Sequence, residues 1–418
     1  MSQSVEAPSR GLWRDANFLR FWGGQASAQF GAQVTELALP VIAVLLLHAS
    51  EFEVGALGAA GLAAFLVVGL PAGAWIDRLR KRRVMIVADL VRALTLAAVP
   101  LLWWAGALEV WHLMVVAAIM GIATVFFDVS YQSVIPALVR PGQIPEANGK
   151  LEATSQLAGI AGPAAGGVLI SILTAPLAML ATVATYLISF GALCLTRDDE
   201  RVAPREEHEP LPRAIAEGLR WVFGNAYLRR IVGTTAVSNL FGTVSFTVLP
   251  LFLLRELGFS PAQMGIVFGL SSVGGLLGAL ATPHLVRLVG EARAIPVSAV
   301  AFALAGLVLP LAASVPAIAF PLLVVQGFVG MASTLAYNIT QVSFRQRITP
   351  GRLLGRMNAS IRFVVWGVMP LAALAAGSLA AWIGVVPTMW IGAIGGLASA
   401  GFVMTRLFWS NRDLPAGE

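Results

Sequence analysis

Residues Gly73 to Arg83 read GAWIDRLRKRR. An apolar run ends there, five basic side chains fall within six positions (Arg78, Arg80, Lys81, Arg82, Arg83), and a second apolar run begins at Val84. A soluble core does not explain a short, strongly cationic hinge between two apolar runs. A cytoplasmic loop of a multi-span membrane protein does, because Lys and Arg are retained on that side of the bilayer.

The rest of the chain agrees with that reading. Of 418 residues, 57% are hydrophobic and only 12% charged, which argues against two or three soluble domains. The apolar runs reach about 20 residues, enough to cross roughly 30 Å of hydrocarbon as helix. Glycine is abundant, with 42 residues. An interior Gly weakens a helix in water, but small residues let transmembrane helices approach closely.

The expected spans are 18–47, 53–76, 84–105, 111–135, 146–173, 176–196, 228–254, 261–286, 294–313, 317–343, 354–382 and 386–409. They describe an all-α membrane protein of twelve transmembrane helices with both termini cytoplasmic. The net charge of +6 then concentrates at one side, in the arm, the loops at 78–83, 140–150, 197–230, 287–293 and 345–356, and the tail. Among the outward loops only Arg255 is basic. That asymmetry reads as topology and excludes a nucleic-acid patch.

Cys194, the single cysteine, excludes an intrachain disulfide and reads as a packing thiol. The first apolar run is too long and too polar for a signal sequence and is expected to be a retained helix.

The longest polar segment, Arg197 to Tyr227, divides the chain into units 1–196 and 228–418. Within it, RAIAEGLRWVF (Arg213 to Phe223) has apolar residues at helical spacing and is expected to lie on the membrane surface. A repeat links the units: Pro40 with Pro250, Gly55 with Gly265 and Arg83 with Arg293 at an offset of 210, and Gln132 with Gln341, Pro141 with Pro350 and Gly142 with Gly351 at 209. The expectation is two pseudo-symmetric six-helix bundles.

Polar residues inside the spans mark candidate sites. Gln25, Gln29, Gln33 and Glu36 recur at intervals of four, four and three on one face of the first span. The repeat sets Asn239 and Thr243 opposite Gln29 and Gln33, and Phe246 opposite Glu36. With Gln326 these residues are the expected lining of a central cavity. A carboxylate near the middle of a membrane helix costs about 2.5 to 3.5 kcal/mol on insertion scales, so Glu36 is the candidate for a proton that is bound and released. A hydrated, functionally silent Glu36 is the plainer alternative. Asp128, about two turns from the cytoplasmic end of the fourth span, is a candidate second titrating group, and Asp89 with Arg92, three residues apart, is expected to self-neutralise.

These motifs resemble those of the major facilitator superfamily. Gly73-x-x-x-Asp77-Arg78-x-x-Lys81-Arg82 is similar to its loop 2–3 motif, with Arg80 where a glycine is usual. The resemblance implies a cytoplasmic gate in which Lys81 or Arg78 pairs with Asp128, and Asp77 sits near the N-terminus of span eleven. Gly149, Gly162, Pro163, Gly166 and Gly167 resemble the antiporter motif of its exporters. IPALVRPGQIPEANG (135–149) and EGLRWVFGNAYLRRI (217–231) are similar to stretches of twelve-span drug, macrolide and siderophore exporters.

The implied function is a secondary transporter of the cytoplasmic membrane, a monomer, exporting amphipathic or lipophilic small molecules against protons. Uptake or facilitated passage of a metabolite or lipid, and a non-transporting receptor, are the alternatives. GQIPEANGK (Gly142 to Lys150) lacks the glycine pattern of a phosphate loop. The four histidines are scattered, and no catalytic triad spacing occurs. No cofactor, metal or enzymatic activity is expected.

Overall fold

Lipid offers no partner to a backbone N–H or C=O, so an apolar chain crosses it as helix, where each amide bonds within its own segment. The computed structural model describes residues 12–76, 79–197 and 211–413, and their α-helical segments run in one long succession. The first six are α1 (Ala16–Val41), α2 (Glu51–Ile76), α3 (Lys81–Trp104), α4 (Val110–Leu138), α5 (Ile144–Leu173) and α6 (Ala175–Leu195). After the short α7 (Leu211–Gly224) come α8 (Ala226–Leu251), α9 (Pro261–Val289), α10 (Glu291–Leu311) and α11 (Ala319–Ile348). The chain ends with α12 (Gly351–Gly367), α13 (Met369–Ile383), α14 (Val385–Ala400) and α15 (Arg406–Trp409).

Among the described residues, 11 helical segments are long and apolar enough to cross a membrane, and α14 is a shorter apolar helix. The predicted span 354–382 is interrupted at Val368, where α12 gives way to α13 just before Pro370. The predicted span 386–409 is also divided: α14 stops at Ala400, turns follow, and α15 restarts the helix.

The repeat seen in sequence extends to backbone devices. Asp15 caps α1 by accepting from the amides of Asn17 and Phe18, and Asn225 caps α8 through Tyr227 and Leu228. Ser50 and Glu53 bond reciprocally at the start of α2, as Ser260 and Gln263 do at the start of α9. Both α1 and α8 pass into a π-helical turn, Ile42–Leu46 and Phe252–Glu256. His48 (φ 49°) and Gly258 (φ 64°) reverse the chain after these turns, and Thr174 (φ 78°) matches Gly384 (φ 91°). Every one of these pairs is separated by 210 residues. The hinge departs from the pattern: Gly290 has φ 91°, whereas its counterpart Arg80 has φ −71°.

Packing follows the same order. In the first half α1 lies on α5 and α6, α2 on α4, and α3 on α4 and α6. The second half repeats this with α8 on α13 and α14, α9 on α11, and α10 on α11 and α14. The halves meet along α5 with α9 and α2 with α13. Lipid is as apolar as Leu, so these seams depend on close approach rather than on hydrophobic burial. A Cβ on Gly55 would stand 2.6 Å from the Cα of Gly377. These contacts lie toward the end of the molecule opposite the chain termini, here termed the distal end.

Helix α7 is held as well as amphipathic. Its Val222 is buried with Met357 and Ile361 of α12, Glu217 pairs with Arg356, and Trp221 Nε1 donates to Thr349 Oγ1 at 3.4 Å. The surface helix expected at 213–223 is therefore fastened to α12.

Candidate functional site

Two adjoining lobes, of about 590 and 510 Å³, open between the halves. Glu36, Gly242, Phe246, Phe302 and Thr334 line both. Helical spacing explains the convergence: Gln33 and Glu36 on α1, and Asn239, Thr243 and Phe246 on α8, occupy single stripes three or four residues apart. Lobe one adds Asn239, Thr243, Tyr337 and Asn338, and lobe two adds Gln33, Phe268, Ser271 and Gln326.

Glu36 is exposed to this space, and among the described residues no cation forms an ion pair with it. Phe246 is 58% exposed and stacks on Phe268 with centroids 6.4 Å apart, so its ring faces the lobes. Gln25 belongs to neither wall: it is 3% exposed, and its Nε2 has no hydrogen-bond partner among the described residues. Gln29 is likewise absent from both walls.

Several lining residues escaped the sequence reading. Thr235 is one repeat offset from Gln25, so α8 carries the same four–four–three stripe as α1, ending on Phe246 rather than on a carboxylate. Its hydroxyl meets Tyr337 Oη at 2.9 Å, and Tyr337 also donates to the Ile231 carbonyl at 3.1 Å. Thr234 lines lobe one with a buried hydroxyl that has no partner among the described residues.

At the end bearing the termini, Gly73 lies in α2, while Asp77 and Arg78 fall outside the described residues. Lys81 opens α3. Arg82 donates from Nε to Leu193 O at 2.8 Å and from Nη2 to Cys194 O at 2.9 Å. It thus caps carbonyls left open at the C-terminus of α6, where a cation also complements the helix dipole. The exposed Asp128 lies in the field of Arg92. Arg92 is buried, 3.6 Å from the fully buried Asp89, with its guanidinium 4.0 Å from the Phe127 ring centroid. The expected Asp89–Arg92 neutralisation is present.

The glycine–proline motif of α5 packs two ways. A Cβ on Gly162 would stand 2.6 Å from Gln33 Cβ, and one on Gly166 would stand 3.2 Å from Val34 Cα, so this face abuts α1. A Cβ on Gly167 would stand 2.5 Å from Pro261 O, and Gly265 approaches Pro163, so the other face abuts α9 across the seam. Around Gly149 there is open space.

A sequence profile of the Major Facilitator Superfamily matches residues 21–369. The chain belongs to that superfamily. Major facilitator proteins are membrane transporters, and this one is a secondary transporter of small molecules. It is 29% identical over 363 residues to the multidrug efflux pump Tap of Mycolicibacterium fortuitum, covering 85% of this chain and 87% of the pump. It is 27% identical over 158 residues to macrolide efflux protein A of Streptococcus pyogenes, covering 37% and 38% of the two chains. Among solved structures, a bacterial homologue of the iron transporter ferroportin in its inward-facing state superposes with TM-score 0.75 at 16% identity, covering 96% of this chain and 100% of that one. The same homologue facing outward gives 0.58 at 17% identity, covering 94% and 99%. This major facilitator fold is thus nearer in shape to the inward-facing form.

Proposed function

We propose that this transporter exports amphipathic or lipophilic small molecules of drug, macrolide or siderophore type, by proton antiport and alternating access. The observation that carries the reading is Glu36, a carboxylate at membrane depth that borders both lobes of the cavity and has no ion-pair partner among the described residues. Residues of this kind in membrane helices mark ion and substrate paths. The relatives that bear efflux names and the α5 motif on the seam support the direction.

In this reading the protein is a monomer of the cytoplasmic membrane with twelve spans, residues 1–196 and 228–418 forming pseudo-symmetric six-helix bundles joined by the linker 197–227. Both termini are cytoplasmic, as the basic loops on that side require. The conformation described is then inward-facing, sealed at the distal end by Arg255 and the glycine seams. The loop from Gly73 to Arg83, including Asp77, Arg78, Lys81 and Arg82, closes the other end against Asp128 when the halves rock. Each 100 mV contributes about 2.3 kcal/mol per charge moved, which supports more than a tenfold gradient of a neutral solute per proton.

The amides and hydroxyls of Asn239, Asn338 and Thr243 favour a second reading, facilitated passage of a polar metabolite. Everted vesicles separate the two. Export predicts substrate-dependent proton release that is lost in Glu36→Gln. Equal flux with and without a pH gradient would establish facilitation instead.

A further inference from the structure

Thr334, Asn338, Gln341 and Arg345 recur at intervals of four, three and four along one stripe of α11. Thr334 and Asn338 line lobe one, and the stripe continues from them toward the end bearing the termini. Gln341 Nε2 donates to Asn338 Oδ1 at 3.5 Å, while its Oε1 is buried with no partner among the described residues. Arg345 comes next, only 9% exposed, and its Nε is likewise buried without a partner among them.

Other arginines in this protein have visible structural work. Arg82, Arg255 and Arg293 donate to backbone carbonyls, and the buried Arg92 has Asp89 and the Phe127 ring. Among the described residues, Arg345 has no acid, carbonyl or ring as partner. Glu217 and Glu291, at the same end, are already paired with Arg356 and Arg347. An arginine near the end of a membrane helix ordinarily extends to the headgroups, but this one is buried inside the protein. Its repeat equivalent at offset 209 is Pro136, so the fold itself does not call for the charge. A buried cation without a counterpart is destabilising, and an anion that reaches it relieves that cost.

The guanidinium is placed to meet a solute. Side chains on a helix lean toward its N-terminus, which for α11 is the distal end, so Arg345 reaches back toward the floor of lobe one. It lies in the field of Tyr337, which lines that lobe. Thr234 faces the same lobe, 2% exposed, with a hydroxyl that has no partner among the described residues. Glu36 is too distant to compensate: Thr234 is the repeat equivalent of Gly24, twelve residues before Glu36 on α1. That is about 18 Å along the helix axis, beyond a screening length of about 8 Å.

We infer that the floor of lobe one is an oxyanion site, where Arg345 and Thr234 take the carboxylate or phosphate of an amphipathic solute whose apolar body rests against Phe246 and Phe302. This rests on the reading of the cavity as the transport path, and it names acids as a substrate class for that path. A guanidinium stays charged and offers paired donors to a planar carboxylate. One guanidinium balances one negative charge, so monoanions are held better than neutral molecules of the same shape.

The test is equilibrium dialysis of naproxen, a monoanionic aromatic acid, and of its neutral primary amide against the purified full chain in uncharged detergent. The acid binds wild type at least about tenfold more tightly than the amide. Arg345→Gln loses at least about tenfold in affinity for the acid, about 1.4 kcal/mol, and keeps its affinity for the amide. Arg345→Lys retains part of the preference. Without ligand, Arg345→Gln melts at or above the wild-type temperature, because the charge it removes has no partner to lose. Equal binding of the acid to wild type and Arg345→Gln, or equal loss of both probes, overturns the inference. So does a lower melting temperature with affinity for the acid unchanged, which assigns Arg345 a structural role. In nanodiscs, phosphatidylglycerol that competes with naproxen in wild type but not in Arg345→Gln identifies a lipid phosphate as the occupant. Equal affinity in phosphatidylglycerol and phosphatidylcholine discs identifies dissolved acids. Binding needs no flux, so acids bound as described but not exported refute the export reading alone. Export with acid binding independent of Arg345 refutes only this inference.

Discussion

Arg255 spans the two halves at the distal end: its Nη2 donates to Ala49 O at 2.6 Å and to Val44 O at 3.2 Å, and its Nη1 lies 3.7 Å from Glu51 Oε1. The ion pair alone is half-exposed and contributes little, whereas charge-assisted bonds to two carbonyls contribute more. Arg255→Ala is expected to lose about 1–2 kcal/mol of distal closure, a shift of about 5–30-fold in the population open at that end. Glu51→Gln shifts it less. Spin labels at the exposed Ala107 and Ala317, in a Cys194→Ser background, report it as a longer distance component. An unchanged distance distribution in Arg255→Ala would contradict this role.

Gly167 tests the α5–α9 seam. A valine there places its first side-chain carbon 2.5 Å from Pro261 O, closer than packed atoms tolerate. Gly167→Val is expected to keep the distal end from closing and to abolish net transport, while Gly149→Ala, in open space, leaves both intact. The same labels and a flux assay check it, and wild-type behaviour of Gly167→Val would refute the seam.

Asp89 and Arg92 form a buried pair whose halves depend on each other. Asp89→Ala leaves a guanidinium in the protein interior without its partner and is expected to cost about 3–5 kcal/mol. Thermal unfolding in detergent should show Asp89→Leu combined with Arg92→Met to be less destabilised than either single change. Additive losses would mean that the two charges act separately.

Thr174 adopts φ 78° and ψ 154°, close to the φ 91° and ψ 164° of Gly384. A side chain is strained there by about 1–3 kcal/mol. Gly384→Thr is expected to lower the melting temperature and Thr174→Gly to raise it. Opposite signs would remove strain as the cause.

The spans and the repeat were legible because lipid forces long apolar runs and because an offset of 210 or 209 residues recurs in Pro, Gly, Arg and Gln positions. The cavity was legible in part. Gln33, Glu36, Asn239, Thr243, Phe246 and Gln326 stood out as polar or out-of-pattern residues at helical spacing, and they line the lobes. Thr234, Thr235 and Tyr337 did not, since a Thr or Tyr in a membrane helix more often bonds to its own backbone or packs. Thr235 does donate to Ile231 O at 2.9 Å. Gln25 shares the stripe of Gln33 and Glu36, yet is buried. Sequence spacing fixes a face but not where neighbouring helices cover it. The repeat also hides a difference: its offset maps Asp89 and Arg92 onto Ala299 and Phe302, so the first half keeps a buried ion pair where the second contributes cavity wall.

Alternating exposure of the lobes is the central claim, and a cysteine at Ser238, in the wall of lobe one, tests it most directly. In proteoliposomes of Cys194→Ser protein, a membrane-impermeant maleimide should label Ser238→Cys from the side bearing the termini. In the added Gly167→Val background, it should label from the distal side. Labelling from neither side in both backgrounds, or from both sides at once, would contradict the account.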